Sequence, residues 1–233
     1  MITFNETHTP ADIVKVFPKA SDLFKANRVD FCCGGDKPLQ EVFEKKKNLD
    51  GVGLLTELNT AYSAWKESGN SEIDWDTIPA SQLIDHILDK HHRFLHEELP
   101  ALGQFVTKIF RVHGGHHPHL KELHRLYNDF RADMESHMIE EENELFPLIK
   151  KYEKTNDPSL ITQIIELNGD MEKEHATSGD ILHQIHTLTN GFQPPADACN
   201  SYRITYARLA ELENNTFEHI HLENNILFKQ FAS

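Results

Sequence analysis

The chain has 233 residues, 39% hydrophobic and 26% charged, with a formal net charge of -14. That length allows one large or two smaller folded units, and the acidic balance argues against nucleic acid or an anionic membrane as a partner, since phosphates are neutralised by Lys and Arg. Three cysteines make no disulfide framework, no apolar run reaches the roughly 18 residues of a membrane span, and the first residues lack a secretory pattern, so the expected compartment is a reducing cytoplasm.

Residues 1–66 read as a small helical domain. Pro10 can open a helix, and Ile13, Val14, Phe17, Leu23 and Phe24 supply its apolar positions, with Pro18 dividing the stretch into two short helices. The breaker-rich turn Asp30-Phe31-Cys32-Cys33-Gly34-Gly35 follows. Further helices carry Leu39, Val42 and Phe43, then Leu54, Leu55, Leu58 and Tyr62 from about Val52 to Trp65. Residues 67–79 turn polar, lose the period and read as a linker.

Residues 80–233 hold four long amphipathic patterns, at about 81–112, 118–152, 158–191 and from Pro194-Pro195 onward. Short breaker-rich connections between them predict an all-α, up-down-up-down four-helix bundle. Pro100 and Pro147 fall within the patterns and are expected to kink or loosen them.

One ten-residue pattern occurs twice in this bundle. His137-Met-Ile-Glu-Glu141-Glu-Asn143-Glu-Leu145-Phe146 and His219-Ile-His-Leu-Glu223-Asn-Asn225-Ile-Leu227-Phe228 both read His-x3-Glu-x-Asn-x-Leu-Phe. Positions i and i+4 share a helix face, so each copy presents an imidazole beside a carboxylate. The count alone says little. Sixteen histidines and 37 acids in 233 residues give about two or three such pairs by chance, and the chain has three, the other being His8–Asp12. Context separates them: both repeats lie on the apolar side of a long helix, where an unpaired carboxylate is costly.

Two metal ions need more donors than these four. His175 lies on the apolar side of the third helix with Ile164, Met171 and Leu182, while His91 and His92 both border the Leu88, Leu95, Leu99 stripe of the first, and periodicity does not separate them. Taking His92 places 45 residues between it and His137, against 44 between His175 and His219. Four imidazoles and two carboxylates suit iron first and manganese second, whereas zinc prefers four-coordinate closure. Both carboxylates would bridge two ions, with a solvent-derived oxygen completing the bridge. Glu172–His175 and Glu218–His221 also fit the Glu-x-x-His spacing of another di-iron class, although His221 points with Asn214 and Asn225, away from the apolar side.

Nearly the whole chain resembles the repair-of-iron-centres family of ScdA/YtfE type, di-iron members of the hemerythrin-like bundle class. The resemblance rests on Asp30-Phe31-Cys32-Cys33-Gly34-Gly35, Ile84-Asp-His-Ile87, His92 seven residues before Leu99-Pro100, Ser136-His137-Met138, Met171-Glu-Lys-Glu174-His175 and His219-Ile-His-Leu-Glu-Asn-Asn225. It implies His92, His137, Glu141, His175, His219 and Glu223 as ligands of two non-haem irons joined by an oxo or hydroxo bridge. It also implies supporting acids at Glu174 and at Asp133, where the family more often has Glu. The implied function is repair of iron–sulfur proteins damaged by nitric oxide or oxidants, through iron release or nitric oxide reduction; an O2 or nitric oxide carrier, or an iron buffer, is the alternative. Cys32 and Cys33 are expected to lie near a helix N-terminus that lowers thiol pKa, accepting nitric oxide or iron or pairing between subunits of a homodimer. Cys199 and the loop cluster His113, His116, His117 and His119 are read as idle, and within Glu140–Glu144 only Glu141 is expected to turn inward.

Overall fold

The computed structural model describes residues 3–232, the side chain of Asp76 apart, and no strand occurs among them. Two compact units emerge, residues 1–78 with 220–230, and 79–219 with 231–233.

In the first unit, α1 (Pro10–Val16) starts as its sequence dictates: Pro10 fills the first turn and Thr9 Oγ1 accepts from the Asp12 amide at 3.0 Å. Pro18 separates it from α2 (Ala20–Ala26). Next come α3 (Leu39–Lys45) and α4 (Gly51–Glu67), the latter capped by Asp50 accepting from the Gly53 amide. Ile13, Phe17, Phe24, Leu39, Leu58 and Tyr62 are buried among these short helices. The stretch after α4 is not structureless. It contains a 3-10 turn (Trp75–Thr77), and the Trp75 indole donates to the Lys15 carbonyl at 2.9 Å.

The second unit holds most of the bundle. Its first long helix is α5 (Ala80–Ile87), a π-turn (Leu88–His92) and α6 (Arg93–His113). Its second is α7 (His119–Glu140), a π-turn (Glu141–Leu145) and α8 (Phe146–Thr155). The third is α9 (Ile161–Leu188), the fourth α10 (Asn200–Leu222), which runs into a π-turn (Glu223–Leu227) and a 3-10 turn (Phe228–Gln230). Packing of α7 on both α6 and α9, and of α5 on α8, buries the apolar stripe of Leu95, Leu99, Leu123, Tyr127, Phe130, Met134 and Ile164. Each such residue contributes on the order of 1.5–3 kcal/mol by leaving water.

Neither proline breaks its helix. Pro100 lies inside α6, where the Tyr127 hydroxyl donates to the adjoining Leu99 carbonyl at 2.7 Å. Pro147 falls in the first turn of α8, just past a π-turn, where its missing N–H matters least.

Candidate metal centre

Every π-turn of the described chain begins or ends on a residue singled out as a donor. A π-turn closes an i to i+5 hydrogen bond and widens the helix by one residue, a feature frequent at functional sites. The amides of Arg93, Phe146 and Phe228 donate to the carbonyls of Leu88, Glu141 and Glu223. In both copies of the repeat the turn starts at the Glu and finishes at the Leu. The sequence repeat is therefore also a backbone repeat.

These helices bring the six donor candidates together. His92, Glu141, His219 and Glu223 form one buried group that could hold an ion, and His137, Glu141, His175 and Glu223 form another, with all donor atoms of each group within 4.8 Å. His92 Nε2 faces His219 Nε2 at 3.2 Å, and His137 Nε2 faces His175 Nε2 at 3.0 Å. Glu141 is 0% exposed and its oxygens make no well-shaped hydrogen bond among the described residues. Its Oε2 instead stands 3.3 Å from His92 Nε2, 3.2 Å from His137 Nε2 and 3.9 Å from His219 Nε2. Burial pushes the Glu141 carboxyl up, but the neighbouring His137, His92 and His219 outweigh this and hold it well below the usual carboxylate range. Buried nitrogens facing nitrogens around an ionised carboxylate fit cations, because metal ligation uses lone pairs that hydrogen bonding leaves poorly matched.

The outer partners fix which ring nitrogen points inward. Glu142 Oε1 lies 2.8 Å from His92 Nδ1 and 2.9 Å from His96 Nε2, and Glu174 Oε2 lies 2.9 Å from His137 Nδ1. An ionised carboxylate only accepts, so each Nδ1 donates and leaves Nε2 free to ligate. The carboxyl of Glu142, raised by partial burial, is nonetheless lowered overall by His92 and His96. His91 is also buried. Its Nδ1 lies 3.2 Å from Asn215 Oδ1 and its ring stacks on His219 at 5.7 Å and 11°.

The Hemerythrin HHE cation binding domain family matches residues 83–231, and the ScdA_N family, a domain of unknown function (DUF542), matches residues 7–62. The iron-sulfur cluster repair protein ScdA of Staphylococcus epidermidis is 36% identical over 95% of this chain and 96% of its own length. The ScdA of Staphylococcus haemolyticus is 35% identical over the same shares. The iron-sulfur cluster repair protein YtfE of Citrobacter koseri is 35% identical over 91% of this chain and 90% of its own. The chain belongs to the ScdA/YtfE family.

In this ScdA/YtfE member the cysteine turn differs from its expectation. The Asp30 carboxylate accepts from the amides of Cys32, Cys33 and Gly34 at 2.9, 3.1 and 2.9 Å, and α3 begins only at Leu39. Gly35 is required there, because a Cβ would stand 2.4 Å from the Phe31 carbonyl oxygen. The two sulfurs are 3.6 Å apart, Cys32 buried and Cys33 exposed. The Cys33 side chain, burial and the Asp30 charge push the Cys32 thiol well up. The expected lowering by a helix N-terminus is thus overturned for Cys32, since its nearest charge is negative.

Other expectations also change. Glu142 is half-buried and grips His92, so Glu141 is not alone in turning from solvent. Glu174, expected as a supporting acid, lies against His137, and Asp133 is exposed. The rival Glu-x-x-His pairs do not assemble, in keeping with the outward direction expected of His221: Glu172 is exposed, and Glu218 pairs with Lys90 at 3.1 Å. Within the first unit, His221 Nδ1 and Asn225 Nδ2 reach the Phe31 and Cys32 carbonyls at 3.1 and 2.9 Å, and burial lowers the His221 pKa to about 4. Sequence pattern alone carried no signal for that latch beyond placing His221 and Asn225 on one side of the helix. No described helix is long and apolar enough to cross a membrane.

Proposed function

We propose that this protein repairs damaged iron–sulfur clusters, the role for which its relatives are named, and does so from a buried di-iron centre. The carrying observation is that Glu141 and Glu223 both appear in each of the two four-donor groups. Two carboxylates shared by two sets of imidazoles support a pair of bridged ions, His92 and His219 serving one and His137 and His175 the other. Bound there, iron would supply open coordination positions and one-electron chemistry, with donated iron as cargo or nitric oxide and O2 as small ligands. The chain's own part is to hold and orient. Glu142 and Glu174 keep protons on the outer nitrogens of His92 and His137, and Phe146, 5.6 Å from the His92 ring, excludes water from that side. We further read residues 1–66 as the thiol-bearing domain, 67–79 as linker and 80–233 as the bundle, in a cytoplasmic protein acting on damaged iron–sulfur proteins.

The test is anaerobic iron loading followed by Mössbauer spectroscopy and a repair assay on a nitric-oxide-damaged iron–sulfur enzyme. Two coupled irons per chain, and repair that disappears in Glu141→Ala and Glu223→Ala, are expected. Less than about one iron per chain would remove the di-iron reading. Full iron loading with reversible O2 or nitric oxide binding and no repair would identify a carrier instead.

A further inference from the structure

The other end of the bundle gathers a second set of metal-type donors. His113 closes α6, and the His117 amide donates to the His113 carbonyl at 2.9 Å, so the backbone makes one more helical turn. The two imidazoles consequently share a side, their centroids 6.3 Å apart. Opposite them is the segment leading into α10. Cys199 Sγ lies 3.2 Å from His113 Nε2, and Asp197 Oδ2 lies 3.2 Å from His117 Nε2. Buried Tyr202 backs both rings at 5.4 and 5.6 Å, and its hydroxyl is held by His119 Nε2 at 3.1 Å.

We propose that His113, His117, Asp197 and Cys199 form a second metal site that takes one tetrahedral divalent cation of the zinc class. Metal–ligand bonds of about 2.0–2.3 Å give tetrahedron edges of roughly 3.3–3.7 Å, so each 3.2 Å pair already approximates one edge. With the two imidazole centroids 6.3 Å apart, joining the two edges requires the imidazoles as well as the exposed Cys199 and Asp197 side chains to turn toward a shared centre. The donor chemistry selects the ion. A thiolate beside two imidazoles favours zinc-like cations over magnesium or calcium, which take oxygen. The deprotonated thiol and carboxylate together balance the charge of a divalent ion. His92 to His113 and Cys199 to His219 span 21 and 20 residues, about 30 Å of helix at 1.5 Å per residue. The two centres are therefore separate, and this site does not depend on the repair function.

The test uses the full-length, iron-loaded protein titrated with Co2+ as a spectroscopic stand-in, followed by Zn2+ competition against a chromophoric chelator. One tetrahedral Co2+ per chain is expected, with a thiolate-to-cobalt charge-transfer band. The band should vanish in Cys199→Ser and persist in Cys32→Ser, Cys33→Ser and His175→Ala. His117→Ala should weaken Zn2+ binding more than about 100-fold, beyond the loss typical of a mere outer partner. Iron content should be unchanged in Cys199→Ser, whose exposed position leaves folding intact. Octahedral Co2+ without the band, or a band that survives Cys199→Ser, would overturn the proposal.

Discussion

The two copies of His-x3-Glu-x-Asn-x-Leu-Phe share sequence, π-turn and inward Glu, yet their asparagines part company. Asn143 is exposed and donates back to the Ile139 carbonyl of its own helix at 2.7 Å. Asn225 donates to the Cys32 carbonyl at 2.9 Å. Their histidines are also braced differently, His137 by the Glu174 carboxylate and His219 by the stacked ring of His91. The shared part of the pattern therefore specifies the donor geometry. What surrounds each copy decides what else that helix does.

The largest test of this comparison is removal of the shared Glu. Glu141→Ala and Glu223→Ala should each cut iron affinity by more than about 100-fold, exceeding the effect of an outer partner; chelator competition measures it. Equal loss in both variants supports equivalent roles, and a loss confined to one copy would break the symmetry. Next in size are the braces. Glu174→Ala and Glu142→Ala should weaken binding by about 10–100-fold, read from the same competition.

The asparagines give smaller, opposite expectations. Asn225→Ala should cost about 1–2 kcal/mol by leaving the Cys32 carbonyl short of a donor, whereas exposed Asn143→Ala should stay within about 0.5 kcal/mol. Denaturant midpoints of the metal-free chain compare them, and similar values would dissolve the distinction. The smallest effect concerns reactivity. Because its pKa is raised, Cys32 holds less thiolate than a free thiol at neutral pH, so its alkylation rate should still be climbing at alkaline pH where that of a free thiol has levelled off. Asp30→Asn removes the negative neighbour and should move the midpoint of that climb down. Residue-resolved alkylation by mass spectrometry checks it.

Much of this was readable in residue order because amphipathic spacing states which face a side chain occupies. The break at Pro18, the four long helices and the convergence of His137, Glu141, His175, His219 and Glu223 all follow from it. Spacing does not state what lies opposite a face. Hence Glu142 as a brace, His137 as the ring that Glu174 supports, and Asn225 as a tie to the cysteine turn emerged only from tertiary placement. The Cys32 environment departs from its sequence expectation for a related reason: the glycines point to a helix start, but Asp30 takes the free amides first.

The π-turns also reset the register of the helices they interrupt. A regular helix rotates about 100° per residue, so one extra residue turns everything beyond it by that amount. Here His91-His92, Leu145-Phe146 and Leu227-Phe228 are all buried neighbours, one doublet at the close of each π-turn. Buried doublets also occur within regular helix, at Leu83-Ile84, Leu126-Tyr127 and His137-Met138, so the Leu-Phe ending marks where the inserted residue lies without announcing it in sequence. Deleting one residue within such a turn would restore regular winding and shift the register of the helix beyond it by about 100°.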